Sequence, residues 1–296
     1  MARPTIECVL DAKARVGEGA VWDHRENVLW WVDIPVGQVH RFDPASGRNT
    51  TTTLDEPVGC LAVREAGGLV VATRSGFWLL DPISGERTPV IDPEADRPGN
   101  RFNDGTTDPA GRRWAGTMKE DQPAEPVGAF YRLDPDLSCR RWLDGVYTTN
   151  GLAFSPDGRT MYFSDSNPAV RTIWACDYDV ASGQPTGRRV FFDTCAVAGR
   201  PDGGTVDAAG CYWMAGVSGW QLVRLTPTGE IDRIVELPVE RPSKPMFGGP
   251  DLATLFVTSI GVGLTPGSEA RQPYAGGLLA LMGLGVGGVP QPRFAG

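Results

Sequence analysis

Gly151-Leu152-Ala153-Phe154-Ser155-Pro156-Asp157-Gly158, then Met161-Tyr162-Phe163-Ser164-Asp165, then Ile173-Trp174-Ala175-Cys176-Asp177-Tyr178-Asp179 is the stretch that decides the fold. It reads as a small-residue strand, an Asp-Gly turn, an apolar strand and a third strand ending in acidic residues. The same grammar recurs along the chain. Gly19-Ala20-Val21-Trp22-Asp23 leads to Leu29-Trp30-Trp31-Val32-Asp33 and then to Val39-His40-Arg41-Phe42-Asp43-Pro44. Gly59, Gly105 and Gly203 open three more such units, and a sixth runs from Met246-Phe247-Gly248-Gly249. Successive units start roughly 40 to 52 residues apart, the spacing of propeller blades.

The turns Ala45-Ser46-Gly47, Ile83-Ser84-Gly85 and Ala181-Ser182-Gly183 lead into a polar fourth strand, such as Arg48 to Leu54. Four strands in each of six units predict an all-β, six-bladed β-propeller covering residues 1–296 as one domain. The last unit lacks its own outer strand. Thr5 to Leu10 is expected to supply it, closing the ring and removing a free sheet edge. A β-sandwich is the rival, but it has no reason to repeat one four-strand grammar six times. The Gly-rich end from Gly283 to Gly296 reads as a tail on the surface.

The composition narrows the function classes. A net charge of -8 without a basic stripe argues against nucleic acid and against a polybasic membrane contact. No stretch reaches the length of a membrane span, and the start lacks the apolar run of a signal peptide. The 6 cysteines form no CxxC pair. A protein of the cytosol is expected, with most thiols packed as small apolar side chains.

Four short motifs stand out at equivalent places in the repeat: Gly17-Glu18-Gly19, Arg101-Phe102-Asn103-Asp104-Gly105, Thr149-Asn150-Gly151 and Pro201-Asp202-Gly203. In a propeller the inner strands line a central channel, so Glu18, Asn103, Asn150 and Asp202 would converge at one mouth of it. Taken singly, each reads as a turn former or a solvated charge. Their shared place in four units favours a site instead. Two carboxylates and two amides brought together suit a hard cation: Ca²⁺, Mg²⁺, Mn²⁺ or Zn²⁺. Only two histidines occur, His24 in a turn and His40 in a strand, which argues against a Ser-His-Asp triad or a His-rich zinc site.

These motifs, with Ala115-Gly116-Thr117-Met118 and Phe247-Gly248-Gly249, resemble the gluconolactonase/regucalcin family, which includes senescence marker protein and luciferin-regenerating enzyme. The resemblance covers nearly the whole chain. It implies a six-bladed propeller that binds one divalent metal cation and hydrolyses a sugar lactone, a gluconolactone-like aldonolactone, to the open acid. It implies Glu18, Asn150 and Asp202 as metal ligands, with Asn103 close by and Arg101 on the substrate. A substrate-contacting glutamate of the family falls on Asp121 here, with Glu120 next to it. In the expected reaction Asp202 takes a proton from the attacking water, while the metal polarises the lactone carbonyl. The alternatives are a hydrolase of aldaric lactones or phosphotriesters on the same scaffold, or a calcium-binding regulatory propeller without catalysis.

Overall fold

The computed structural model describes residues 4–296. These residues form 24 strands, numbered β1 to β24 in chain order, arranged as six four-stranded antiparallel sheets. Adjacent sheets contact each other through their innermost strands around the ring. The innermost strands are β2 (Gly17–Asp23), β6 (Val58–Val63), β10 (Asn100–Thr107), β14 (Thr149–Phe154), β18 (Arg200–Val206) and β22 (Pro242–Gly248). Blade 6 is completed as expected: β1 (Thr5–Leu10) pairs with β24 (Leu278–Met282) and becomes its outer strand. Its inner strand begins four residues earlier than the sequence suggested, at Pro242. Pro242 and Pro245 donate no N–H and so read as a loop; they sit either side of a register shift in β22.

The recurring Asp at the end of the third strand explains the repeated turns. Asp43 accepts from Ala45 N at 2.9 Å, Asp81 from Ile83 N at 2.8 Å and Asp179 from Ala181 N at 3.0 Å. Each carboxylate thus holds a turn open in the manner of an Asx turn. Between blades, bulky side chains interlock. Trp213 and Leu222 of blade 5 share a cluster with Phe247, Leu255 and Leu279 of blade 6, all buried. Each such side chain contributes about 1.5–3 kcal/mol by leaving water.

The C-terminal segment is half-buried rather than a free tail, because main-chain hydrogen bonds tie it to the blades. It crosses the channel mouth at the far ends of the inner strands. Ala208 N donates to Gly287 O at 2.8 Å, Phe294 N to Val63 O at 2.8 Å and Ala295 N to Gly111 O at 3.0 Å. Phe294 is fully buried, and Arg293 grips Asp23 at 2.6 and 2.7 Å. A Gly-rich end looks solvated because its few apolar and charged groups are scattered; here Leu284, Arg293 and Phe294 each dock on a blade. Above this strap lies a chamber of about 470 Å³, with Val289 to Pro292 on one side and Lys244 among its other walls. No helix among the described residues is long and apolar enough to cross a membrane.

Candidate functional site

Every inner strand carries a break in pairing register near its start. The shifts fall between Glu18 and Val21, Val58 and Cys60, Phe102 and Gly105, Asn150 and Ala153, Pro201 and Gly204, and Pro242 and Pro245. Such bulges re-aim side chains and recur near sites. The four expected residues all lie at these breaks, but they are not strictly equivalent. Glu18 and Asn150 are the last paired residues before the break, whereas Asn103 and Asp202 are the first inside it. Gly19 and Gly151, with φ of 60° and 67°, give blades 1 and 4 a turn that the other two do without. Blade 2 contributes no side chain at this level: a Cβ on Gly59 would meet Phe102 O at 2.3 Å.

The loops that lead into blades 1 and 4 are fixed alike. Asp33 accepts from Arg15 N at 2.8 Å and Val16 N at 2.9 Å; Asp165 accepts from Tyr147 N at 2.8 Å and Thr148 N at 3.1 Å. Glu18 and Asn150 follow within three residues of these clamps. A chain of hydrogen bonds then crosses three blades. Arg101 Nη1 donates to Asn103 Oδ1 at 2.9 Å. Asn103 Nδ2 donates to Thr149 O at 2.9 Å and to Asn150 Oδ1 at 3.3 Å. Asn150 Nδ2 donates to Ser166 Oγ at 2.7 Å, and Ser166 Oγ donates to Pro201 O, one residue before Asp202. Asn103 therefore spends its oxygen on Arg101, and Asn150 Oδ1 is held only by the longer contact from Asn103 Nδ2.

Glu18 and Asp202 are buried. Burial first, then Asp202 and Asp104, holds the Glu18 carboxyl well above the usual carboxylate range. Burial first, then Asp104, pushes Asp202 up in the same way. Glu18 accepts only from Gly19 N, at 2.9 Å, and Asp202 makes no hydrogen bond among the described residues. Asp104 differs, because Lys244 Nζ reaches its Oδ1 at 2.8 Å and Leu152 N its Oδ2 at 3.0 Å. Among the described residues no group of three or more His, Cys, Asp or Glu side chains is arranged to hold a metal ion. The candidate set is mixed instead: two carboxylates that repel each other and form no salt bridge among the described residues, and one amide oxygen. That donor chemistry fits a divalent cation.

Arg101 is brought to the mouth, and Glu120 faces it at 3.8 Å while also pairing with Arg74. Asp121, expected beside the substrate, lies exposed in the loop after β11 (Arg113–Lys119), and Glu120 takes the place beside Arg101. His24 is exposed in a turn; His40 is buried in β4 (Gln38–Asp43), stacked on Trp31 at 3.9 Å, away from the mouth. Lys244, Ser166 and Ser243 escaped the sequence reading. Lys244 and Ser243 lie in Pro242-Ser243-Lys244-Pro245, which lacks the Asn-Gly or Asp-Gly signature of the other blades. For Asp104, its place beside Asn103 was an available signal.

Residues 16–261 match the model of the SMP-30/Gluconolactonase/LRE-like region. The chain is 39% identical to a 6-deoxy-6-sulfogluconolactonase of Pseudomonas putida, over 99% of each chain. It is 36% identical to regucalcin of Xenopus laevis, over 100% of each. Among solved structures, a calcium-binding protein, regucalcin, from Agrobacterium tumefaciens superposes with a TM-score of 0.92 at 30% identity, covering 99% of both chains. Because the matched model and these relatives span the ring that carries the mouth, the chain belongs to the SMP-30/Gluconolactonase/LRE-like family.

Proposed function

We propose that this protein is a lactonase that opens a sugar lactone to its acid at a divalent cation held by Glu18, Asn150 and Asp202. The observation that carries the reading is a pair of buried carboxylates without an ion-pair partner, set beside a hydrogen-bond chain that runs from Arg101 through Asn103, Asn150 and Ser166 to the carbonyl before Asp202. A purely structural cation site has no use for a guanidinium wired into it. The relatives named as lactonases support the reaction class.

When bound, the cation supplies positive charge against the lactone carbonyl oxygen, where negative charge develops. Arg101 spends Nη1 on Asn103 and on Phe102 O, at 2.9 Å each, which fixes its plane and leaves the rest of its fork for substrate oxygens. Asn103 ties that guanidinium to Asn150. Glu120 sets the outer side of Arg101, and Asp121 meets substrate only from the exposed loop. Asp202, with no hydrogen bond of its own, takes the proton of the attacking water. Water as nucleophile explains why no Ser, Cys or His is needed at the mouth. Free cysteines and no disulfide among the described residues fit the reducing cytosol as the working compartment.

The relatives named regucalcin favour a second reading, a calcium-holding propeller without turnover. A pH-stat assay on a panel of sugar lactones separates the two. Acid release above the spontaneous rate, abolished by a chelator and restored by a divalent cation, supports the lactonase. Cation binding without acid release from any lactone supports the second reading.

A further inference from the structure

An ion pair crosses the channel beneath the mouth. Lys244 Nζ in β22 of blade 6 reaches Asp104 Oδ1 in β10 of blade 3 at 2.8 Å, and Leu152 N of blade 4 donates to Asp104 Oδ2 at 3.0 Å. Blades 3 and 6 stand opposite each other in the ring, so the pair forms a bar across the channel. The stem of Lys244 runs past Gly203 of blade 5, where a Cβ would meet Lys244 Cδ at 2.4 Å. The bar stands between the mouth and the chamber of about 470 Å³ that the C-terminal strap borders at the other end.

The chamber walls follow a pattern. The second paired residue after the register break is Thr106 in blade 3, Phe154 in blade 4, Thr205 in blade 5 and Met246 in blade 6, and all four line the cavity. Hydroxyls thus alternate with apolar side chains from blade to blade. Thr106 and Thr205 are 8% and 3% exposed, yet neither hydroxyl makes a hydrogen bond among the described residues. Buried hydroxyls are normally paired. Among the described buried serines and threonines, only Thr106, Thr107, Thr205 and Ser164 lack a side-chain partner, and the three threonines all line this chamber. The Ser164 oxygen is sealed inside the fold, whereas the threonine oxygens are not.

Lys244 is the only ionisable wall residue, and Asp104 already takes its charge. Pro109, Pro156 and Pro290 are exposed wall residues and mark the side that opens to solvent. The volume falls within the range of small-molecule sites, roughly 300–1,000 Å³.

We propose that this chamber is a second binding site, for a neutral, mainly apolar molecule of one or two rings that carries hydroxyl groups for Thr106 and Thr205. A charged ligand would leave water without meeting a free counter-charge on the walls. The site lies across the bar from the mouth and stands whether or not the protein opens lactones.

The probe is 2,6-dihydroxynaphthalene, a neutral two-ring diol, titrated by calorimetry. Naphthalene-2,6-dicarboxylate is its charged counterpart. The wild type should bind one equivalent of the diol, and bind the dicarboxylate at least about tenfold more weakly. Thr106→Val and Thr205→Val keep the side-chain shape and should each weaken diol binding by about fivefold, the loss of one hydrogen bond. Glu18→Gln, at the mouth, should bind the diol as the wild type does. The methyl resonance of Met246 in the wild type should shift on diol addition, a readout that needs no variant to fold. An absence of saturable binding overturns the site and leaves the chamber to water. An unmoved Met246 methyl, full binding in both threonine variants, or binding lost in Glu18→Gln places the diol elsewhere and overturns it too. Equal binding of the dicarboxylate overturns the ligand class.

Discussion

The hydroxyl of Ser243 in blade 6 donates to the carbonyl of Gly17 in blade 1, one residue before Glu18. The same device recurs at the other proposed ligands. Asn103 holds Thr149 O before Asn150, and Ser166 holds Pro201 O before Asp202. Each proposed ligand is thus preceded by a peptide carbonyl gripped from a neighbouring blade, which couples ligand placement to closure of the ring. Ser243→Ala and Ser166→Ala should each weaken cation binding by about fivefold, the worth of about 1 kcal/mol of hydrogen bond. Titration calorimetry on folded variants checks this; unchanged affinity in both would make the grips irrelevant to the site.

Lys244 and Asp104 form a buried pair under the mouth. Removing one partner strands the other. Lys244→Met should cost about 3–5 kcal/mol in urea unfolding. The double variant Lys244→Met, Asp104→Leu should recover part of it, because no charge is then left buried alone. A double variant less stable than Lys244→Met would show that Asp104 is needed for its bond to Leu152 N rather than for its charge.

Glu120 rather than Asp121 faces Arg101. Glu120→Gln should lower kcat/KM for sugar lactones by roughly fivefold or more, as a charge-assisted contact is weakened. Asp121→Asn should stay within about twofold. Steady-state kinetics with the effects reversed would bring Asp121 into the pocket and place Glu120 outside it.

His40, stacked on Trp31, shapes acid stability. Burial lowers its imidazole from 6.5 to about 4. Between those values the unfolded chain binds a proton that the folded chain refuses. Stability is therefore full above about pH 6.5 and falls as the pH drops towards about 4, by ~3 kcal/mol at most. His40→Gln should flatten that part of the stability profile. The double variant His24→Gln, His40→Gln should keep most of its kcat; a loss above about 10²-fold would reveal a missing acid–base group.

The ring was legible because its grammar is local. Small residues mark inner strands, an Asp marks the turn after the third strand of blades 1, 2 and 4, and Thr5 to Leu10 had no other edge to complete. The proposed ligands were legible because Gly follows them. Their offset was not: whether a side chain precedes a bulge or lies inside it depends on pairing with the next strand, which Glu18 and Asp202 do not announce. The sequence left Glu120 and Asp121 unresolved for a similar reason, since β11 ends at Lys119 and alternation stops there. Lys244 and Phe294 act across blades far apart in sequence, and nothing adjacent to them signals their partners.

The central claim is that Glu18 and Asp202 hold the cation on which lactone opening depends. Its most direct test is calorimetric titration of a divalent cation into metal-free wild type, Glu18→Gln and Asp202→Asn. One site per chain in the wild type, weakened by tenfold or more in both variants, is the predicted result. Equal affinity in all three proteins would contradict it.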